Sequence, residues 1–407
     1  MKIWHPFTQE KTAITPLKII RGEGAYLFDE LGKEYLDMIS SWWTNILGHA
    51  NGEIAEAIYR QARMLEHVIF AGFTHNLAEN LCYELSKFLP KDLEYFFFSD
   101  DGSTAVEVAI KMAYQYFTNL GEKKRNIYIN LTGGYHGDTL GAMGAAGKHS
   151  RYHATFSEFF FETFSINFPR SPRNEATAIE KLKIFLNQNS DQICALIIEP
   201  LVQGAAGMQM YRSEFLDQVV SEVRKYKIVV IFDEVMTGFF RTGTMFAMDQ
   251  CTENPDIICL SKGITGGFLP LALTIVNRKI YNAFLSNDYK KTFIHGHSYT
   301  ANPIACAAAI KTIEILQRKE IRQNIEKIAQ IHKRNLQKLD HALSKRQQGT
   351  IAAFEVESEE KASSIAKKML QNGIIIRPIG KTIYLMPPYC ITTEKLEYVY
   401  EIFTQYL

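Results

Sequence analysis

Between about residue 90 and residue 280 the chain returns repeatedly to short, unbroken apolar runs. Ile228-Val-Val-Ile-Phe232 is the clearest of them. A strand with one wet face alternates apolar and polar residues; an unbroken run fits a strand covered on both faces, as in a parallel sheet. Ile228–Asp233, Tyr95–Phe98, Asn126–Leu131, Cys194–Glu199, Ile257–Leu260 and Leu271–Val276 are all expected to be strands, with helical stretches between several of them. That alternation predicts an α/β fold on a large, mostly parallel sheet. One helix follows the turn Ser99-Asp-Asp-Gly102. Val106, Ile110, Ala113 and Phe117 share its face, and Thr104 with Glu107 fit a capping box at its start.

The two ends read differently. Gly22–Asp37 has the pattern of a β-hairpin with Gly32 in the turn. After Asn302-Pro303 a helical stretch runs to about Ser344. Strands are then expected at Ile351–Val356, Ile374–Arg377 and Ile383–Met386, with helices near 359–372 and 393–406. This gives a large central domain, 52–317, and a smaller α+β domain built from both chain ends, 1–51 and 318–407.

Charge and cysteine usage narrow the partners. Lys plus Arg is 45 and Asp plus Glu is 44, so nothing favours nucleic acid or an anionic membrane. No run of about 18 apolar residues suggests a membrane span, and the N-terminus has no signal-like apolar core. The six cysteines are scattered with no CxxC pair, which fits free thiols in a reducing, cytoplasmic setting. His136 with Asp138, and His295 with His297, lack further ligands at useful spacing, so no metal is expected.

Asp233 ends one apolar strand, and Lys262 directly follows another. A carboxylate at a strand's carboxyl end is either functional or a cap on the next helix. A lysine there is either solvated or desolvated, and desolvation favours the neutral, nucleophilic amine. Gly102-Ser103 opens a helix, an ordinary start or an anion site. The local residues leave each pair of readings open.

The longer array is more specific. Phe232-Asp-Glu-Val-Met-Thr-Gly-Phe-Phe-Arg-Thr-Gly243, Pro255-Asp-Ile and Leu260-Ser-Lys-Gly-Ile-Thr-Gly-Gly267, with Lys262 29 residues after Asp233, resemble the class III, fold-type I aminotransferases. The resemblance implies pyridoxal 5′-phosphate held by Lys262 as a Schiff base. It also implies that Asp233 pairs with the ring nitrogen, Gly102 and Ser103 hold the phosphate, Tyr135 lies against the ring, and Glu199 lies nearby. The His295–Thr300 loop would reach the phosphate of a second subunit through Ser298, with His297 where close relatives carry proline; this implies a homodimer. The resemblance also supports joining the two chain ends in one small domain.

Within the family, Trp4-His-Pro-Phe-Thr8, Met38-Ile-Ser-Ser-Trp-Trp43 and Ile376–Tyr389 resemble the biotin-pathway branch. Its members aminate 8-amino-7-oxononanoate, with S-adenosylmethionine the usual donor and lysine the donor in some. Trp42 and Trp43 would wall a tunnel for the methylenes and Arg377 would hold a carboxylate, with Gly296 and Tyr384 also against substrate. Plain core packing for the tryptophans and a surface salt bridge for Arg377 are the alternatives. Phe7, where some relatives carry tyrosine, and Phe240, in place of a usual glycine, depart from the pattern. An ornithine- or GABA-like ω-amino-acid aminotransferase and a non-catalytic cofactor-binding protein are the competing readings.

Overall fold

The computed structural model describes residues 3–148 and 154–407; Met1 and Lys2, at the head of the expected N-terminal segment, and residues 149–153 lie outside the described residues. Seven strands form the main sheet, in the order Leu93–Ser99, Ala272–Asn277, Ile257–Leu260, Val229–Asp233, Ile193–Ile198, Ile127–Leu131, Thr163–Ile166. Ala272–Asn277 runs antiparallel to both neighbours, and the remaining pairs are parallel. The α/β architecture read from the apolar runs is therefore present.

Val229–Asp233 shows why its run is unbroken. Val230 and Phe232 pack into one apolar cluster, Val229 and Ile231 into another on the opposite face. Helices Ser213–Arg224 and Gly102–Asn119 cover the two sides. Phe215, Leu216, Val219, Val220 and Val223 bury the first helix; Ala105, Val106, Ala109 and Ala113 bury the second. Each fully buried Val, Leu or Phe contributes roughly 1.5–3 kcal/mol of transfer free energy. A polar residue inside such a run is therefore costly, and the functional groups collect at its ends.

The chain ends meet in a second sheet. Ile19–Glu23, Tyr26–Asp29 and Glu34–Asp37 form an antiparallel ribbon, with Gly32 at φ +81° in the turn. Ile374–Ile375 then adds parallel to Glu34–Asp37. The expected Ile374–Arg377 strand stops two residues short, and the next residue after Arg377 is Pro378, which has no N–H to donate. Thr382–Leu385, Glu359–Gln371 and Thr393–Thr404 lie close to where they are expected.

Two expectations are corrected, and one strand was not expected. The helical stretch to Ser344 is two helices, Pro303–Leu316 and Lys319–Gln337, followed by a strand, Leu343–Gln348. That strand is mostly polar and half-exposed, so no apolar pattern marks it; it forms by pairing with buried Ile351–Glu355. The helix expected to be capped by Thr104 and Glu107 begins at Gly102. Asp101 is its N-cap, accepting from Thr104 N at 3.0 Å, while Thr104 Oγ1 accepts from Asp101 N at 3.1 Å. Glu107 instead accepts from Gly141 N at 2.7 Å. Thr163–Ile166, at the sheet edge, was not among the expected strands.

All six cysteines are free, three of them buried. Among the described residues no helix is long and apolar enough to cross a membrane.

Candidate active site

A cavity of about 1030 Å³ opens at the carboxyl ends of Val229–Asp233 and Ile257–Leu260, where an open α/β sheet presents its ligands. Asp233, Lys262, Tyr135, Glu199, Gly102, Ser103, Trp42, Arg377 and Tyr384 all line it.

Asp233 is the last residue of its strand and is almost wholly buried. Its Oδ1 accepts from Val235 N at 3.1 Å, and its Oδ2 lies 2.7 Å from His136 Nδ1. His136 is buried too. Burial disfavours its imidazolium, but the bond and charge of Asp233, with Glu199 adding, prevail and raise its pKa. His136 Nε2 has no hydrogen-bond partner among the described residues. Sequence reasoning considered His136 only as a metal ligand; its partner lies 97 residues away, and no local pattern reports the pair.

Glu199 follows the Ile193–Ile198 strand. Its Oε1 accepts from Tyr135 N at 3.0 Å and its Oε2 from Gly204 N at 2.9 Å. Burial pushes its carboxyl up to about 7. It therefore ties down the loop that carries Tyr135, whose hydroxyl donates to Asp138 Oδ2 at 2.8 Å.

Lys262 directly follows Ser261, with φ +45°. Its Nζ lies 5.1 Å from the centre of the Trp43 ring. Burial holds its ammonium below the ordinary lysine range; Asp233, Glu199, Asp138 and Asp101 pull the other way without cancelling it. The amine is thus biased toward its neutral, nucleophilic form.

Gly102 and Ser103 open the 18-residue helix Gly102–Asn119, whose first N–H groups and dipole favour an anion. Ser103 Oγ accepts from Asp138 N at 3.1 Å. Gly137, at φ +127°, sits so close that a Cβ there would meet Ser103 Oγ at 2.2 Å. At Gly102 a Cβ would instead meet Val235 Cγ1 at 2.6 Å, so packing on Val235 also demands glycine there.

Trp42 and Trp43 come from a turn, Ser40–Trp43, in which all four residues have positive φ, 48°, 45°, 67° and 76°. An L-residue in this left-handed region costs roughly 1–2 kcal/mol. Arg377 stacks over Trp42, its guanidinium carbon 4.1 Å from the ring centre, and Phe7 meets Trp42 edge-on at 5.4 Å. Trp43 is buried and donates from Nε1 to the Tyr384 hydroxyl at 3.1 Å. Phe240 has φ +70° and is buried with Arg322 over its ring at 5.4 Å. The left-handed backbone explains why glycine suits that position.

The His295–Thr300 loop does not join this cavity. Gly296 and Ser298 are exposed and line no part of it, and His297 Nε2 reaches only to 4.0 Å from Asp100 Oδ1. Within a single chain, then, these three are separate from the other expected site residues. Met236, Phe268, Leu269 and Ile379 line the cavity and were not singled out from the sequence.

The donor set fits a planar aldehyde cofactor with a phosphate: an amine of lowered pKa, a buried carboxylate, a half-buried tyrosine, and a helix N-terminus pressed against a glycine loop. Among the described residues no three His, Cys, Asp or Glu converge as metal ligands.

A family model described as aminotransferase class-III matches residues 7–407. A Synechococcus elongatus protein named adenosylmethionine-8-amino-7-oxononanoate aminotransferase is 44% identical, over 98% of this chain and 96% of its own length. The Methanocaldococcus jannaschii protein of the same name has a crystal structure that superposes with a TM-score of 0.93 at 36% identity, covering 99% of this chain and 96% of that one. An amine transaminase from an uncultivated Pseudomonas species, solved in its PLP-bound internal aldimine form, superposes at 0.90 with 29% identity, covering 100% and 97%.

Proposed function

This chain belongs to the class-III aminotransferases, and from that membership we propose that it moves an amino group from S-adenosylmethionine to 8-amino-7-oxononanoate, yielding 7,8-diaminopelargonate for biotin synthesis. The relatives' shared name supports the substrate pair. The observation that carries the reading is the layout of the cavity. Arg377 stacked on Trp42, and Lys262 with Asp233, line one and the same cavity. An apolar chain ending in a carboxylate matches the first; a carbonyl to be aminated matches the second.

Pyridoxal phosphate, when bound, supplies an aldehyde and a ring that accepts the electron pair left by a broken Cα–H bond. Lys262 would hold it covalently, Asp233 at the ring nitrogen, Tyr135 at the ring face, and Gly102 with Ser103 at the phosphate. The lowered pKa of Lys262 keeps Nζ ready to accept a proton from the substrate carbon and return it. His136 and Val235 N fix the Asp233 carboxylate, so its charge stays in place through the cycle. Glu199 anchors the backbone under Tyr135. Arg377 serves the carboxylate of acceptor and donor in turn, which allows two unlike substrates to share one cavity.

The protein works as a cytoplasmic homodimer, with His297 and Ser298 completing the phosphate site of the second copy. The exposure of Ser298 and the absence of both residues from the lining of their own cavity support this. The parallel pairing of Ile374–Ile375 with Glu34–Asp37 supports a small domain made of 1–51 and 318–407 around a large domain of 52–317.

The test is a donor panel. Purified protein loaded with pyridoxal phosphate is given 8-amino-7-oxononanoate with S-adenosylmethionine, lysine, ornithine or GABA. Diaminopelargonate formed with S-adenosylmethionine supports the full reading, and formation with lysine alone changes the donor. No product with either removes the assignment.

A further inference from the structure

Four consecutive L-residues in a left-handed turn form an unusual feature, because each Cβ crowds the following carbonyl oxygen. Left-handed residues normally occur singly and favour glycine. Ser40–Trp43 contains no glycine. Ser41 and Trp42 sit at ψ 56° and 47°, squarely in the left-handed well. Strain held at a site over-determined by its surroundings points to a function there.

The turn controls two sides of the cavity at once. Trp42 backs the Arg377 guanidinium, and Trp43 faces Lys262 Nζ. Side-chain direction follows backbone hand, so relaxation of the turn to ordinary φ values would re-aim both indoles.

Its braces lie outside the cavity. Asp37, wholly buried, sits just before the turn. Its Oδ1 accepts from Ile39 N at 3.1 Å. Its Oδ2 accepts from Ser41 Oγ at 2.8 Å and lies 3.0 Å from His49 Nε2. Asn45 Nδ2 lies 3.0 Å from His49 Nδ1. The imidazole is thus held at both ring nitrogens, between Asn45 and Asp37. Ser40 Oγ donates to Met386 O at 2.7 Å, tying the turn to the C-terminal segment as well.

We propose that Asp37 is a positioning residue for acceptor selection: through Ser41 and His49 it locks the left-handed turn that aims Trp42 at Arg377 and Trp43 at Lys262. The word acceptor rests on the proposed function; the lock itself does not.

Ser41 gives a clean test because it lines no part of the cavity. Ser41→Ala removes the hydroxyl brace and keeps the Cβ. Ser41→Gly removes the same hydroxyl and also one of the four Cβ atoms that strain the turn, the one at the braced residue. Losing a hydrogen bond to a buried carboxylate predicts about a tenfold rise in acceptor KM for Ser41→Ala, with kcat changed less. Ser41→Gly returns KM to within about threefold of the parent, because glycine needs no brace there. Asp37→Asn raises KM at least as much as Ser41→Ala.

A second readout needs neither cofactor nor substrate. The chain has three tryptophans, and Trp4 is exposed, so the near-ultraviolet circular dichroism of the cofactor-free protein reports Trp42 and Trp43. The indole bands should weaken in Ser41→Ala and recover in Ser41→Gly. If the two variants behave alike in both readouts, or if Ser41→Ala matches the parent in both, the proposal is overturned. If Asp37→Asn does not fold, the Ser41 pair still decides. If the parent itself does not turn over 8-amino-7-oxononanoate, the functional reading fails, while the dichroism still tests the lock.

Discussion

His136→Phe removes the stronger of the two hydrogen bonds that fix the Asp233 carboxylate, and its cost can be worked from the geometry. His136 Nδ1 sits 2.7 Å from Asp233 Oδ2, both side chains almost wholly buried. After the change Val235 N, at 3.1 Å from Oδ1, remains. A hydrogen bond to a charged group is worth about 1.5–3 kcal/mol. If Asp233 holds a cationic ring nitrogen, that loss appears as roughly 10- to 150-fold weaker binding of pyridoxal phosphate. The assay is titration of the cofactor-free protein with pyridoxal phosphate, followed by fluorescence, with a urea melt to check the fold. His136→Asn, which keeps an N–H donor, should recover part of the affinity. Parent-like affinity in a folded His136→Phe protein would refute the idea that His136 acts through Asp233.

Three further outcomes are expected. Arg377→Ala should raise KM for the carboxylate-bearing acceptor by about one hundredfold, because a paired guanidinium is lost while Trp42 remains; steady-state kinetics checks it. Gly137→Ala should lower the thermal midpoint and weaken phosphate binding. Its Cβ would lie 2.2 Å from Ser103 Oγ at φ +127°, and strained backbone alone costs about 1–3 kcal/mol; calorimetry reads both. Stability of the cofactor-free protein should fall as pH rises from 4.5 to about 7. The buried carboxyls of Glu199 and Glu234 are both pushed up to about 7, while burial lowers the His332 imidazole to about 3; two carboxyls against one imidazole still leave the folded state binding more protons than the unfolded one up to pH 6.5. His136 adds a loss in the same direction above 6.5, and Lys262, whose pKa is lowered, opposes it at alkaline pH. Urea melts across that range give the slope, and a rising slope between pH 5 and 7 would contradict the assigned environments.

The residues explain what could be read from sequence. Val229–Asp233 sends alternate side chains into two apolar clusters, so it needed an unbroken run, and the run marks the strand. Lys262 and Asp233 follow or end such runs and were legible for the same reason. Leu343–Gln348 carried no such mark, because its partner strand supplies the apolar face. The His136–Asp233 pair spans 97 residues and belongs to tertiary structure alone. The left-handed turn at Ser40–Trp43 was hidden because glycine, its usual signal, is missing. Composition and spacing do not place Gly296, His297 and Ser298 away from their own cavity; only the family resemblance, which sends the His295–Thr300 loop toward a second subunit, implied it.

Borohydride reduction of the protein loaded with pyridoxal phosphate, followed by peptide mapping, reads the role of Lys262 itself. One reduced adduct, on the peptide carrying Lys262 and missing from a folded Lys262→Ala protein, is the expected result. An adduct on a different lysine, or no adduct at all, contradicts the account.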